Sequence, residues 1–360
     1  MRIALIKTSS MGDVIHALPV VTDILSARPD LRIDWVVEEG FADLPALHPG
    51  VGEVIPIAIR RWRRQLTRAQ TWAEIGAVRA RLRLNRYDLA LDLQGLLKSA
   101  LVARWTGAPV LGFDRASARE PLAALAYARS FTVSRDLHAI ERLRQLAGQA
   151  LGYPVQGPPR FGLRAPARDL AWLPAGPYVV LLHATSRAEK LWPQDRWIAL
   201  GVALAARGYS LVLPWGSEAE RQAAQRLVDA IRQQMPVGTP DALSSTARSV
   251  APSREPSTEP SIAPSAPSTS SLPTALLAPK LALADCAGLL ANAAAVVGVD
   301  TGLTHLAAAL ECPTVALFAA TEAWRYGPYW SARAISLGSA GNWPQVPEVL
   351  QSLDALGALA

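Results

Sequence analysis

The chain has 360 residues, half of them hydrophobic, which is enough for two ordinary domains with a core in each and excludes a fibrous or disordered protein. Its formal charge of +6 is too modest to mark a polyanion, and no nucleic-acid partner is expected. No apolar run approaches the roughly 18 residues of a membrane span, and the two cysteines, Cys286 and Cys312, lack the spacing of a zinc site or disulfide framework, so neither metal nor cofactor is expected and the reducing cytoplasm is the expected compartment.

Apolar strands alternate with amphipathic helices from the start. The pattern predicts a strand at 3–6, a helix near 13–28, strands at 33–37 and 54–59, a helix near 70–84 and a strand at 89–93. The first strand ends in Lys7-Thr-Ser-Ser-Met-Gly-Asp13, where Gly12 permits a tight turn and Asp13 falls at a helix N-terminus. A carboxylate there can take a proton from a hydroxyl, but Asp is also among the best helix caps, and both readings stand. After the strand at 54–59 come Arg60, Arg61, Arg63 and Arg64 around Trp62. These charges fall in a loop at a strand end, where α/β folds bind ligands. Arginines 79, 81, 83 and 86 read instead as the solvated face of a helix.

A Pro-rich joint at 154–177 separates this half from a second with the same rhythm: a strand at 178–183, a helix near 194–206, a strand at 210–213 and a helix near 217–234. Two α/β halves meeting at a central cleft follow, with boundaries at 1–165 and 166–360. The new half opens Leu181-Leu-His-Ala-Thr-Ser-Arg-Ala-Glu-Lys190, so Thr185 and Ser186 offer hydroxyls and Lys190 a mobile ammonium at a strand end; a merely solvated lysine is the competing account. Glu220 opens a helix after Leu213-Pro-Trp-Gly216, suited to ribose hydroxyls or simply to the helix dipole. In residues 236–275, 23 of the 40 are Pro, Ser or Thr, with prolines at 252, 256, 260 and 264. That stretch cannot bury enough to fold and reads as a disordered insertion. A helix at 281–292 and a strand at 295–299 lead into Gly298-Val-Asp-Thr-Gly-Leu-Thr-His305, a strand that turns at Asp300, Thr301 and Gly302 into a helix carrying His305 one turn in. A helix N-terminus carries roughly half a positive charge and suits a diphosphate, although a capped turn with no ligand has the same sequence. A strand at 314–318 follows. G-x-G-x-x-G and G-x-x-x-x-G-K-[ST] are both missing, so dinucleotide-dependent hydride transfer and P-loop chemistry are disfavoured; Asp-x-Asp is missing too.

Taken together, the segment 1–16, Asp34-Trp-Val-Val-Glu-Glu-Gly-Phe41, the segment 54–63 and Gly298 to His305 resemble the lipopolysaccharide heptosyltransferase I family, within glycosyltransferase family 9. The likeness covers nearly the whole chain apart from the Pro/Ser/Thr stretch and favours type I over type II. It implies the GT-B fold, two Rossmann-like domains facing a cleft, the first for the acceptor and the second for ADP-heptose. It implies inverting transfer of L-glycero-D-manno-heptose from ADP-heptose to the Kdo of Kdo-lipid A, by a monomer held peripherally at the cytoplasmic face of the inner membrane. Asp13 matches the family's general base. The donor site carries over to Thr185, Ser186, Lys190, Glu220, Leu281, Asp300, Thr301, Gly302 and His305. The acceptor side carries over to Arg60, Arg61, Arg63 and Arg64, joined by Gln94, Lys98, Arg119 and His138 in further matching segments. A related transferase such as heptosyltransferase II, or a non-catalytic nucleotide-sugar-binding homologue, remains the alternative.

Overall fold

Two six-stranded parallel sheets carry the chain in the computed structural model, which describes residues 1–167, 170–235 and 272–359. The first sheet holds β1 (Arg2–Ile6), β2 (Arg32–Glu38), β3 (Val51–Ile57), β4 (Leu89–Asp92), β5 (Val110–Phe113) and β6 (Arg129–Phe131) in the order β3-β2-β1-β4-β5-β6. Its helices are α1 (Met11–Ala27), α2 (Asp43–Ala46), α3 (Ile59–Trp62), α4 (Ala69–Leu84), α5 (Leu97–Arg104) and α6 (Ala139–Leu151), with a 3-10 turn at Pro121–Ala126. The second sheet holds β7 (Tyr178–Leu182), β8 (Ser210–Leu213), β9 (Ala275–Leu277), β10 (Ala295–Val299), β11 (Thr314–Leu317) and β12 (Ala334–Leu337), in the order β12-β11-β10-β7-β8-β9. Its helices are α7 (Gln194–Ala206), α8 (Glu218–Gln234), α9 (Leu283–Ala291), α10 (Gly302–Ala309), α11 (Ala323–Tyr326) and α12 (Val346–Ala355). Counted from its own first strand, each sheet has the 3-2-1-4-5-6 order of a Rossmann fold. The expected α/β class with two facing Rossmann-like halves is therefore what the chain adopts.

The central strands are continuous apolar runs, β1, β7 and β10 above all, as parallel strands covered on both faces require. One core lies outside the first sheet under α4 and α5, and one outside the second under α7, α8 and α12. The third is shared: Ile15, Leu18 and Leu143 of the first half and Val180, Leu289 and Leu306 of the second belong to one continuous cluster. The inner helices of the two halves therefore pack on each other, and the carboxyl ends of both sets of strands border one cleft.

Three expectations need correction. The strand placed at 54–59 ends at Ile57, and Ile59–Trp62 turns into a short helix because Trp62 buries its ring under the sheet and bonds Nε1 to Glu74 Oε2 at 2.7 Å. Arg60 and Arg61 thus lie on a helix, not in a loop. Arg86 lies beyond the end of α4, at φ 49°, and is no part of its basic face. The insertion placed at 236–275 ends too late: 236–271 lie outside the described residues, but Ala275 is buried as the first residue of β9, which pairs with β8 and which the Pro/Thr-rich flank disguised.

Arg144 is the main polar tie inside the first half. It is 1 % exposed, reaches Asp23 of α1 from α6 at 2.7 Å, and also bonds Glu141 and the carbonyls of Gln156 and Gly157. Arg144→Ala should leave Asp23 and two carbonyls without their partner, at a cost of about 3–5 kcal/mol. The check is the urea midpoint of unfolding; an unchanged midpoint would refute the assignment.

Candidate active site at the cleft

The cleft is assembled from loops at strand ends. At the end of β1, Asp13 is the third residue of α1, and its Oδ2 accepts from Ser10 N and Oγ, both at 2.9 Å. It caps its own helix and still presents its other oxygen to the cavity, with Lys7 Nζ 3.8 Å from Oδ1. Burial pushes the Asp13 pKa up, but the Lys7 ammonium, the Ser10 hydrogen bonds and His16 outweigh that and hold it below the ordinary carboxylate value. Asp13 is thus ionised near neutrality and able to accept a proton. Lys7 is itself buried, with its pKa lowered chiefly by that burial, and its ammonium donates to the Leu93 carbonyl at 3.2 Å.

A cavity of about 300 Å³ opens in front of Asp13, lined by Gln94 and Arg119 of the expected set. Lys7, Arg135, Arg142 and Arg325 line it too, and sequence reasoning missed them. Arg325 comes from α11 in the second half. The signal was available in part, since β5, β6 and β11 all end at this rim. Gln94 Oε1 accepts from Thr8 N and Oγ1 at 2.7 Å, fixing the loop that carries Asp13, and Lys98 Nζ reaches Ser9 Oγ at 3.3 Å. His138 caps α6 through Nδ1 and bonds the Gly327 carbonyl through Nε2 at 3.1 Å, so both ring nitrogens are engaged and the second ties the halves together. The Arg60 to Arg64 cluster does not line this cavity. It sits beyond the end of β3, with Arg61 paired to Glu39 and Glu74, Arg60 stacked on Phe41, and Arg63 and Arg64 exposed.

Across the cleft, Asp300 ends β10 and Thr301 is the cap residue of α10. Lys190 Nζ lies 2.5 Å from Asp300 Oδ2, Thr321 Oγ1 donates to the same oxygen at 2.5 Å, and His305 Nε2 lies 3.1 Å from Oδ1. Burial raises the Asp300 pKa, but His305, Lys190 and Thr321 together hold it far below the carboxylate norm. The structure brings Lys190, Asp300, Thr301, Gly302 and His305 together, with His305 buried and facing Asp300 and α1. Thr185 and Ser186 lie in the polar loop between β7 and Lys190. Glu220 Oε2 accepts from Gly216 N and Ser217 N at 2.7 and 3.2 Å, completing a capping box on α8. Leu281, just before α9, packs half-buried against the shared core.

The halves touch most closely where α1 meets α10. A Cβ on Gly302 would lie 2.4 Å from Met11 Sδ, so glycine is required for this approach. Beside it, the His16 and His305 rings stand edge to face at 4.7 Å, with the His138 ring 5.8 Å from His16. Among the described residues, no three His, Cys, Asp or Glu side chains are placed to hold a metal.

A sequence model of family 9 glycosyltransferases (heptosyltransferase) matches residues 75–239 and 251–351. The chain belongs to glycosyltransferase family 9. It is 43% identical to lipopolysaccharide heptosyltransferase 1 of Pseudomonas aeruginosa over 96% of this chain and 86% of that protein. The solved E. coli heptosyltransferase WaaC with ADP superposes with a TM-score of 0.81 at 36% identity, covering 99% of this chain and 100% of that one. WaaC with ADP-2-deoxy-2-fluoro heptose gives 0.78 at 35%, covering 99% of both. The fold of this family 9 chain is thus shared over nearly its whole length with proteins solved with a nucleotide or a nucleotide-sugar analogue.

Burial pushes the His138 pKa down to about 4, and burial with neighbouring His305 and His138 puts that of His16 well below its usual 6.5. Below pH 6.5 the unfolded chain binds protons that the folded chain refuses, so stability is complete above that pH and falls as pH drops toward 4. The melting temperature should decline between pH 7 and pH 5, before most carboxylates titrate. A flat profile would contradict a neutral His16 and His138 in the folded chain.

Proposed function

We propose that this chain is the heptosyltransferase that moves L-glycero-D-manno-heptose from ADP-heptose to the Kdo of Kdo-lipid A, with inversion, at the cytoplasmic face of the inner membrane. The observation that carries the reading is Asp13, an ionised carboxylate lining a basic cavity, on the helix that packs through Met11 against the N-terminus of α10, beside which Lys190 pairs with Asp300. The names of the relatives, lipopolysaccharide heptosyltransferase 1 and WaaC with ADP, support donor and acceptor classes alike. The acceptor is an acidic glycolipid, and the arginines of the cavity suit its carboxylate and phosphate groups. Among the described residues no helix is long and apolar enough to cross a membrane, so the lipid must be met at a surface.

In the reaction, Asp13 accepts the proton of the acceptor hydroxyl as its oxygen attacks the anomeric carbon and the bond to the diphosphate breaks on the opposite face. The new glycosidic bond therefore has inverted configuration, and ADP leaves with the electron pair. The departing charge is met by the N-terminus of α10, by Lys190 and by the Thr185 and Ser186 hydroxyls. A diphosphate draws Lys190 toward itself from Asp300, which keeps His305 and Thr321 as partners.

The test is acceptor-dependent ADP release from ADP-heptose and Kdo-lipid A. Asp13→Asn should keep donor affinity and lose roughly a hundredfold or more in turnover; near-normal turnover would remove Asp13 from the mechanism. Lys190→Ala should weaken donor binding and rate together, by about a hundredfold in kcat/KM. An effect on the acceptor alone would contradict the donor-side placement. No release with ADP-heptose still bound would favour another acceptor.

A further inference from the structure

We propose that a ridge of four leucines on the rim of the first half, Leu97, Leu101, Leu122 and Leu125, docks this protein on an anionic lipid bilayer. The helix α5 turns Ser99, Ala100, Val102 and Ala103 into the protein, so that Leu97, Leu101 and Arg104, spaced i, i+4 and i+7, form its outer stripe. The 3-10 turn at 121–126 buries Ala123 and leaves Leu122 and Leu125 outward. The two elements are clamped side by side: Glu120 N donates to the Gly95 carbonyl at 3.0 Å, and Leu97 N donates to Glu120 Oε2 at 2.7 Å. The four leucines are 48, 57, 54 and 67 % exposed. A single exposed leucine needs no explanation, but four on adjoining elements form a patch of the kind that marks an interaction surface.

The charge around the ridge selects the occupant. Residues 96–130 contain Lys98, Arg104, Arg115, Arg119 and Arg129 against two acids. Both acids are engaged, Asp114 by Ser117 N and Thr132 Oγ1, and Glu120 by Leu97 N. Five cations against two carboxylates leave this stretch a net charge of +3, and an apolar stripe with such an excess of cations is the composition of a helix lying in the interface of an anionic membrane. The ridge is also continuous with the site: Gln94 and Arg119 line the cavity in front of Asp13, and each directly precedes one of the two leucine-bearing elements. Docking by this rim places the cavity mouth at the level of the lipid headgroups. The choice of a bilayer over an acidic protein rests on the lipid-linked acceptor proposed above.

Co-sedimentation of the full chain with phosphatidylethanolamine/phosphatidylglycerol vesicles, and with phosphatidylcholine vesicles as control, tests this without any turnover. The wild-type chain should bind the anionic vesicles, more weakly as salt rises, and the neutral ones poorly. The double variant Leu101→Glu/Leu125→Glu should lose about tenfold or more in vesicle affinity. It should keep the wild-type melting temperature and wild-type turnover on an acceptor stripped of its acyl chains. Equal vesicle binding by the two chains would overturn the proposal, as would no binding by the wild type. So would a wild-type dimer that the substitutions split into monomers, which would make the ridge a contact between copies. If vesicle binding behaves as expected but ADP-heptose is never consumed, the ridge stands and the enzymatic reading fails.

Discussion

Asp300 is the group on which the cleft depends. Its carboxylate is 8 % exposed and receives Lys190 from the loop after β7, Thr321 from the loop after β11 and His305 from α10, so one buried charge fastens three strand ends together. Burying an unpaired carboxylate is prohibitive, whereas burying one with three donors is tolerable, and the three loops are thereby obliged to converge. His305 then extends the arrangement across the molecule, since its ring packs on His16 of α1, four positions along from the Gly12–Asp13 pair. Asp13 of one half and the Asp300–Gly302 turn of the other are held in register through this contact and through Met11 on Gly302.

The fold was legible because parallel sheets covered on both faces demand continuous apolar strands, and strands such as 295–299 and 210–213 can hardly be read otherwise. Short elements were the ones misread. Only three residues, Ala275–Leu277, make up β9, and its Pro and Thr neighbours look like linker. Ile59 looks like the end of a strand and 60–62 like the loop after it, yet 59–62 form a helical turn whose tryptophan is buried. In both cases pairing partners distant in sequence decided the outcome, and a local pattern carries no record of them.

The site divides in the same way. Asp13, Lys190 and the Asp300 turn were readable because each lies where a strand gives way to a helix, and that position confers a chemical role on short polar motifs. What the motifs did not disclose is how far the side chains serve one another. Glu220 caps its own helix, His138 spends one nitrogen capping α6 and the other on the second half, and Arg61 is held between two glutamates. The cavity arginines went the other way. Arg135 and Arg142 have no motif around them and Arg325 lies far from both in sequence, so only the folded chain shows that they face the same space as Asp13.

The charge state of this helix cap is set closer by. Beside the Lys7 ammonium and the Ser10 donors Asp13 stays ionised, which lowers its basicity but keeps the carboxylate available at neutral pH. On the proposed reading, an anionic acceptor in the cavity would offset part of the Lys7 charge, and with less cationic stabilisation beside it the carboxylate would become a stronger base. Acceptor binding and proton removal would then be linked through one electrostatic field, with no moving part required.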